Sequence, residues 1–189
     1  MKTTALGLLI LAGSCALQAQ TPAPAPAGGN PMLGEVKQWY GQIKNNLTRM
    51  AEKMPAENYD FKASPDIRTF GELMAHVADA QLRSCGAVNG AMKTSKPDNK
   101  TKEQIVAAMK ESFDECDKAF EGTTDANATQ MMSMGGRGQT SRLGILTRFV
   151  VVHGNEEYGY GSIYLRLKGI VPPSSDNAGR GPAPRGKKQ

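Results

Sequence analysis

The chain contains two histidines, His76 and His153, and both stand where folding could bring them together. His153 opens the stretch "HGNEEYGYGSIYLRLKGIVPP", with Glu156 and Glu157 three and four residues later. Residues four apart share one face of a helix, so Glu157 lies alongside His153, and Tyr160 and Tyr164 continue the stripe. An imidazole and a carboxylate one turn apart can both reach a divalent ion about 2.0–2.2 Å from each donor atom. The same spacing also describes an ordinary helix pair of about 0.2–0.5 kcal/mol, so this helix alone decides nothing.

His76 supplies the second half of the argument. It sits in "RTFGELMAHVADAQL", among Leu73, Val77 and Ala80, in the middle of a helix that must share a core with the first. A buried imidazole needs a partner for each ring nitrogen, and a buried carboxylate needs a cation. One divalent ion answers both needs. Two histidines and a carboxylate with open positions form a known catalytic arrangement for zinc or non-haem iron. The candidate metal ligands are therefore His76, His153 and Glu157, with zinc the first expectation and nickel, iron or manganese the alternatives. Tyr160, Tyr164 and Glu156 are candidates for the surrounding layer or for substrate contact. The pattern names neither a catalytic residue nor which small molecule is the substrate.

These residues must be carried by elements that the rest of the chain specifies. Asn30 can cap a first helix with Pro31 at its first position and Pro55 as its stop, and Val36, Trp39, Tyr40, Ile43, Leu47 and Met50 recur at helical steps. A T-x-x-E box, Thr69 to Glu72, opens a second helix with Phe70, Leu73, Met74, Val77 and Gln81 on one face. A T-x-x-Q box, Thr101 to Gln104, opens a third with Ile105, Ala108, Met109, Phe113, Cys116 and Phe120, and Gly122 ends it. The fourth runs from about Ser141 to Lys168, with Gly169 as a left-handed cap and Pro172 and Pro173 beyond. Between the third and fourth, "TTDANATQMMSMGGRGQTS" reads as a loop. Its Met131, Met132 and Met134 are either gap filler or an apolar cover for a pocket or partner. No alternating β-branched run appears, so the fold class is all-α, a four-helix bundle.

The ends are of a different kind. Residues 1–20 carry Lys2, an apolar run from Ala5 to Gly13 and then small residues, which reads as a secretory signal and not as a membrane span. "LAGSC" offers lipid attachment at Cys15 as the less favoured alternative to cleavage. Residues 21–30 form a Pro/Ala/Gly linker, 31–173 the bundle, and 174–189 a basic tail expected to be disordered. The formal charge of +5 comes mainly from the ends, since Lys2 leaves with the signal and four cations lie in the tail. The bundle itself is near neutral, which argues against a nucleic-acid partner. An exported location, periplasmic or extracellular, follows from the leader, and a homodimer is left open.

Cys85 and Cys116 provide a test of topology. Each lies about fifteen residues into its helix, level if helices two and three run parallel and offset by about 15 Å in a simple antiparallel hairpin. A disulfide needs Cα atoms within about 7 Å, so a bridge would require a crossover connection. Outside the cytoplasm such a pair is more often bridged than catalytic.

The two segments "RTFGELMAHVADAQLR" and "HGNEEYGYGSIYLRLKGIVPPSS" together resemble the DinB-like (YfiT-like) superfamily of four-helix-bundle metalloenzymes. That resemblance spans roughly residues 31–173. It implies His76 as first metal ligand and His153 as second, with Glu157 at the place where the family pattern has a third histidine. The superfamily includes thiol-dependent S-transferases and a maleylpyruvate isomerase, in which the metal activates a thiol. An exported protein is poorly supplied with small thiols, so metal-dependent hydrolase or transferase chemistry on a small molecule is the enzymatic expectation. The alternative is a degenerate, non-catalytic envelope module for binding or structure.

Overall fold

Each long helix begins on the side chain that the sequence offers it. Asn30 accepts from the Met32 amide ahead of α1 (Pro31–Lys53), and a reciprocal Thr69–Glu72 box opens α2 (Phe70–Val88). The Thr101–Gln104 box opens α3 (Lys102–Glu121). The chain then makes a short antiparallel hairpin, β1 (Met131–Ser133) with β2 (Gln139–Ser141), before the last helical region. That region is α4 (Arg142–Ile145), a π-helical segment Leu146–Val152, and α5 (His153–Leu167). The computed structural model describes residues 29–95 and 100–176. The proposed signal, Cys15, nearly all of the linker and the tail beyond 176 lie outside the described residues.

Cross-helix contacts fix the directions. Tyr40 Oη in α1 donates to Asp117 Oδ1 near the end of α3 at 2.7 Å, and Lys102 Nζ at the start of α3 donates to the Glu52 carbonyl near the end of α1. These two helices are antiparallel. A Cβ on Gly71 would touch Ile105 at 3.3 Å, near the start of both α2 and α3, while Cys85 and Cys116 meet near both ends. Those helices are therefore parallel. A Cβ on Gly154 would meet Ile43 and Leu47, and one on Gly161 would overlap Met50 Sδ, so α5 runs parallel to α1 and approaches it closely through its glycines. The bundle is up-down-down-up.

Parallel neighbours need a crossover, and the described part of the 89–101 connection returns along the bundle. Lys93 Nζ reaches Glu115 Oε2 at 2.7 Å, and the Ser95 amide reaches Asp79 Oδ1 at 3.0 Å. The Cys85–Cys116 disulfide lies beneath it, with Cα atoms 4.9 Å apart. This is the pairing for which the cysteine spacing required a crossover.

The apolar stripes of α2 and α3 are buried as expected, Gln81 included. In α1 one position differs: Trp39 is exposed, because its neighbour Tyr40 takes the inward place, stacked on Phe120 at 4.0 Å. Two further departures fall in the last third of the chain. The segment read wholly as loop contains the β1–β2 hairpin, whose turn uses positive φ at Gly135 and Gly138. The fourth helix is not uniformly α.

The reason for the π segment lies in the spacing of buried residues. Leu146, Val150, Gly154 and Tyr158 are buried at steps of four. In a regular helix a four-residue step drifts by about 40°, so three steps would turn Tyr158 well away from the core. Underwinding over Leu146–Val152 keeps the row inward. At the other end Gly169 has φ 73°, the left-handed cap that stops the helix. Order continues beyond the expected boundary at 174, through a 3-10 turn Pro173–Ser175 to Asp176, whose carboxylate receives Arg49 and Lys53.

Candidate metal centre

His76 sits two turns into α2, and the start of that helix is held from several sides. The Phe70 and Gly71 amides donate to the Phe61 and Tyr59 carbonyls, and the Tyr164 hydroxyl of α5 donates to the Arg68 carbonyl. His153 is the first residue of α5, immediately after the π segment, and Glu157 follows one turn later. The antiparallel packing of α2 and α5 brings the three side chains to one point.

Three donor atoms form a compact triangle. His76 Nε2 and His153 Nε2 are 3.3 Å apart, His153 Nε2 and Glu157 Oε1 are 3.3 Å apart, and His76 Nε2 and Glu157 Oε1 are 3.7 Å apart. Two ligands each about 2.1 Å from a tetrahedral ion are separated by about 3.4 Å, so the edges fit one ion of that kind. Among the described residues this is the cluster of His, Cys, Asp and Glu whose donor atoms could hold a metal. Burial grades across it: the side chains of His76, His153 and Glu157 are 35%, 23% and 7% exposed. The carboxylate is the floor and the imidazoles are the rim.

Two atoms of the triangle's own residues have no hydrogen-bond partner among the described residues. They are Glu157 Oε2 and His153 Nδ1, and the amide nitrogen of nearby Gln81 is in the same condition. A buried carboxylate oxygen without a donor costs about 1–3 kcal/mol, and a cation on that side removes the cost. Burial is the main force holding His76 below the ordinary imidazole pKa, and the Arg68 charge adds to it while Glu157 opposes. The neutral imidazole is the form that ligates a metal. The residues present fit a divalent ion.

The triangle separates two clefts. On one side His76 and His153 open to a cleft of about 530 Å³, with Glu156, Arg148, Phe149 and Met134 around it. On the other, Glu157 lies at the base of a cleft of about 610 Å³ walled by Leu73, Tyr160, Ile163, Tyr164 and Arg68. A third cavity, about 650 Å³ between α1 and α3, is lined by residues such as Val106, Met109 and Phe113, and none of the three donor residues lines it.

Residues 40–160 match the DinB superfamily. The chain belongs to that superfamily. A DinB-like protein from Bacillus cereus ATCC 10987 superposes with a TM-score of 0.62 at 14% identity, over 74% of this chain and 95% of its own. A DinB-like protein from Bacillus subtilis gives 0.58 at 14% identity, over 72% and 93%. Both share the all-α bundle fold. No curated protein matches the sequence.

Each residue singled out from sequence has a place in this DinB bundle. His76, His153 and Glu157 converge. Tyr164 is buried, with its hydroxyl committed to the Arg68 carbonyl, whereas Tyr160 is exposed and donates to Glu156 Oε1 at 3.3 Å. Glu156 lines the histidine cleft and Tyr160 the glutamate cleft. Met134 is buried at the wall of the histidine cleft, while Met131 is exposed. Arg68 was not foreseen: it lies in the loop just before the Thr69 cap of α2, where no helical spacing ties it to His76. Among the described residues no helix is long and apolar enough to cross a membrane.

Proposed function

We propose that this DinB protein binds one divalent transition metal, zinc first, through His76 Nε2, His153 Nε2 and Glu157 Oε1. The observation that carries the proposal is the convergence of these three atoms within 3.3–3.7 Å of one another, with Glu157 Oε2 buried and unpartnered beside them. A bound ion with open positions supplies Lewis acidity to a substrate oxygen or activates a nucleophile. The chain's own contribution is orientation and exclusion of water. Burial keeps His76 neutral, Glu157 sets the charge of the centre, and the flanking clefts admit a small molecule from either side. Hydrolase or transferase chemistry on such a molecule, in an exported protein, is the activity this reading supports.

Elemental analysis of protein purified without a metal-affinity tag tests it. About one equivalent of metal is expected, falling to under a tenth in His76→Ala with the helical spectrum retained. Wild-type protein that holds less than a tenth of an equivalent, after exposure to zinc, nickel, iron and manganese in turn, would sink the proposal. One observation favours the second reading, a degenerate module without catalysis. Metal-bound histidines ordinarily donate their other nitrogen to an acceptor, and His153 Nδ1 has none among the described residues.

A further inference from the structure

The glutamate cleft concentrates exposed apolar surface beside one cation. Ile67, Tyr160 and Ile163 are 41%, 50% and 54% exposed, and all three line this one cleft. Leu73 and Tyr164 extend its apolar wall inward, and the base is Glu157, one of the three metal-ligand candidates. Arg68 stands at the edge. It makes no ion pair with any described carboxylate, although its charge is felt by Glu72, and its backbone is pinned by the Tyr164 hydroxyl. An arginine that no described carboxylate engages, with its backbone anchored beside an apolar cavity, suits the planar two-oxygen end of a ligand carboxylate.

The opposite cleft lacks this character. There Arg83 is already paired with Asp79 at 2.8 Å, and Arg148 packs over the Phe149 ring. Charge also limits the ligand of the glutamate cleft. Asp66 lines it two residues from Arg68, so a dianion would meet about twice the repulsion that a monoanion does. A volume of about 610 Å³ is within the range that holds small organic ligands.

We infer that the glutamate cleft binds an apolar monocarboxylic acid, with its carboxylate on Arg68, its body against Tyr160, Ile163 and Leu73, and its far end beside Glu157. The assignment rests on the metal reading for what happens at that far end, but the recognition itself uses only Arg68 and the apolar wall. Tyr160 then forms the exposed side of the cleft, its hydroxyl donating to Glu156.

The test is calorimetric titration of the full chain, metal-free and zinc-loaded, with 3-phenylpropionate and with its neutral amide. The acid should bind at least tenfold more tightly than the amide in both forms, as expected for one charge-assisted contact. Arg68→Gln should abolish that preference without changing zinc stoichiometry, and Arg148→Gln should leave it intact. Equal binding of acid and amide, no saturable binding of the acid, or a preference that survives Arg68→Gln because it requires zinc alone, overturns the inference. Concentration-dependent dimerisation in sedimentation that excludes the acid overturns it too, by assigning the apolar rim to a second copy. If zinc is not retained, the metal reading fails separately, and the comparison in metal-free protein still decides the role of Arg68.

Discussion

Replacing Glu157 by glutamine should change the sign of its effect on stability when metal is added. The substitution keeps the shape of a side chain that is 7% exposed but removes the charge and turns one oxygen into a donor. Without metal, Glu157 Oε2 is a buried acceptor lacking a donor, which costs about 1–3 kcal/mol. Glutamine leaves that position unpaired but removes the buried charge, which is the larger cost, so metal-free E157Q should melt a few degrees higher than wild type, at roughly 2–4 °C per kcal/mol for a chain of this size. With zinc at a thousand times the dissociation constant, wild type should gain about 4.1 kcal/mol. Loss of an anionic ligand should weaken zinc at least about a hundredfold, since even outer-layer changes cost 10–100-fold, leaving a gain of about 1.4 kcal/mol at the same zinc concentration. The two melting curves should therefore cross in order between EDTA and zinc. Scanning calorimetry in both buffers reads this directly. A variant less stable than wild type in EDTA, or one that keeps the full zinc gain, would refute the reasoning and make Glu157 an ordinary structural residue.

Removing the disulfide with Cys85→Ser and Cys116→Ser together should cost between about 3 and 4 kcal/mol, because it closes a loop of 31 residues. Urea unfolding should show a lower midpoint, and a change under about 1 kcal/mol would contradict the packing described. Glu115, held below the usual carboxylate pKa chiefly by hydrogen bonds from Lys93 and Asn89, adds stability that is present above pH 4.5 and lost as pH falls through its depressed folded value. Glu115→Gln should remove that part of the acid sensitivity, measured as the difference in unfolding free energy between pH 7 and pH 3.5. Gly161→Ala should destabilise by about 1–3 kcal/mol, since its methyl would overlap Met50 Sδ, and an unchanged melting temperature would show that α1 and α5 yield there.

The helix starts and inward stripes were legible because capping chemistry and apolar period are local properties. Asn30, Thr69 and Thr101 each act within a turn of their own position. The metal candidates were legible for a different reason: a chain with two histidines leaves few pairings, and Glu157 lies one turn from one of them. What could not be read was relational. Trp39 and Tyr40 are equally apolar by type, and only the Phe120 ring decides which turns inward. Arg68 is an unremarkable loop cation until α5 is placed against the start of α2. The hairpin of residues 131–141 has no alternation because only three residues form each strand.

The π segment has a consequence that concerns residue count and not residue type. An α-helix advances about 100° per residue and the underwound turn absorbs about one extra residue, so rewinding 146–152 as regular α-helix with no residue removed would rotate everything after it by roughly that angle relative to α4. His153 and Glu157 would keep their mutual spacing but swing together away from His76. The centre is thus set by a phase. Every ligand can be present in the right order, on an intact helix, and the site still be lost if 146–152 regains the ordinary pitch at unchanged length. Comparisons of related bundles should therefore allow a one-residue gap at the underwound turn, because a regular helix there needs about one residue fewer to hold His153 and Glu157 in the same phase.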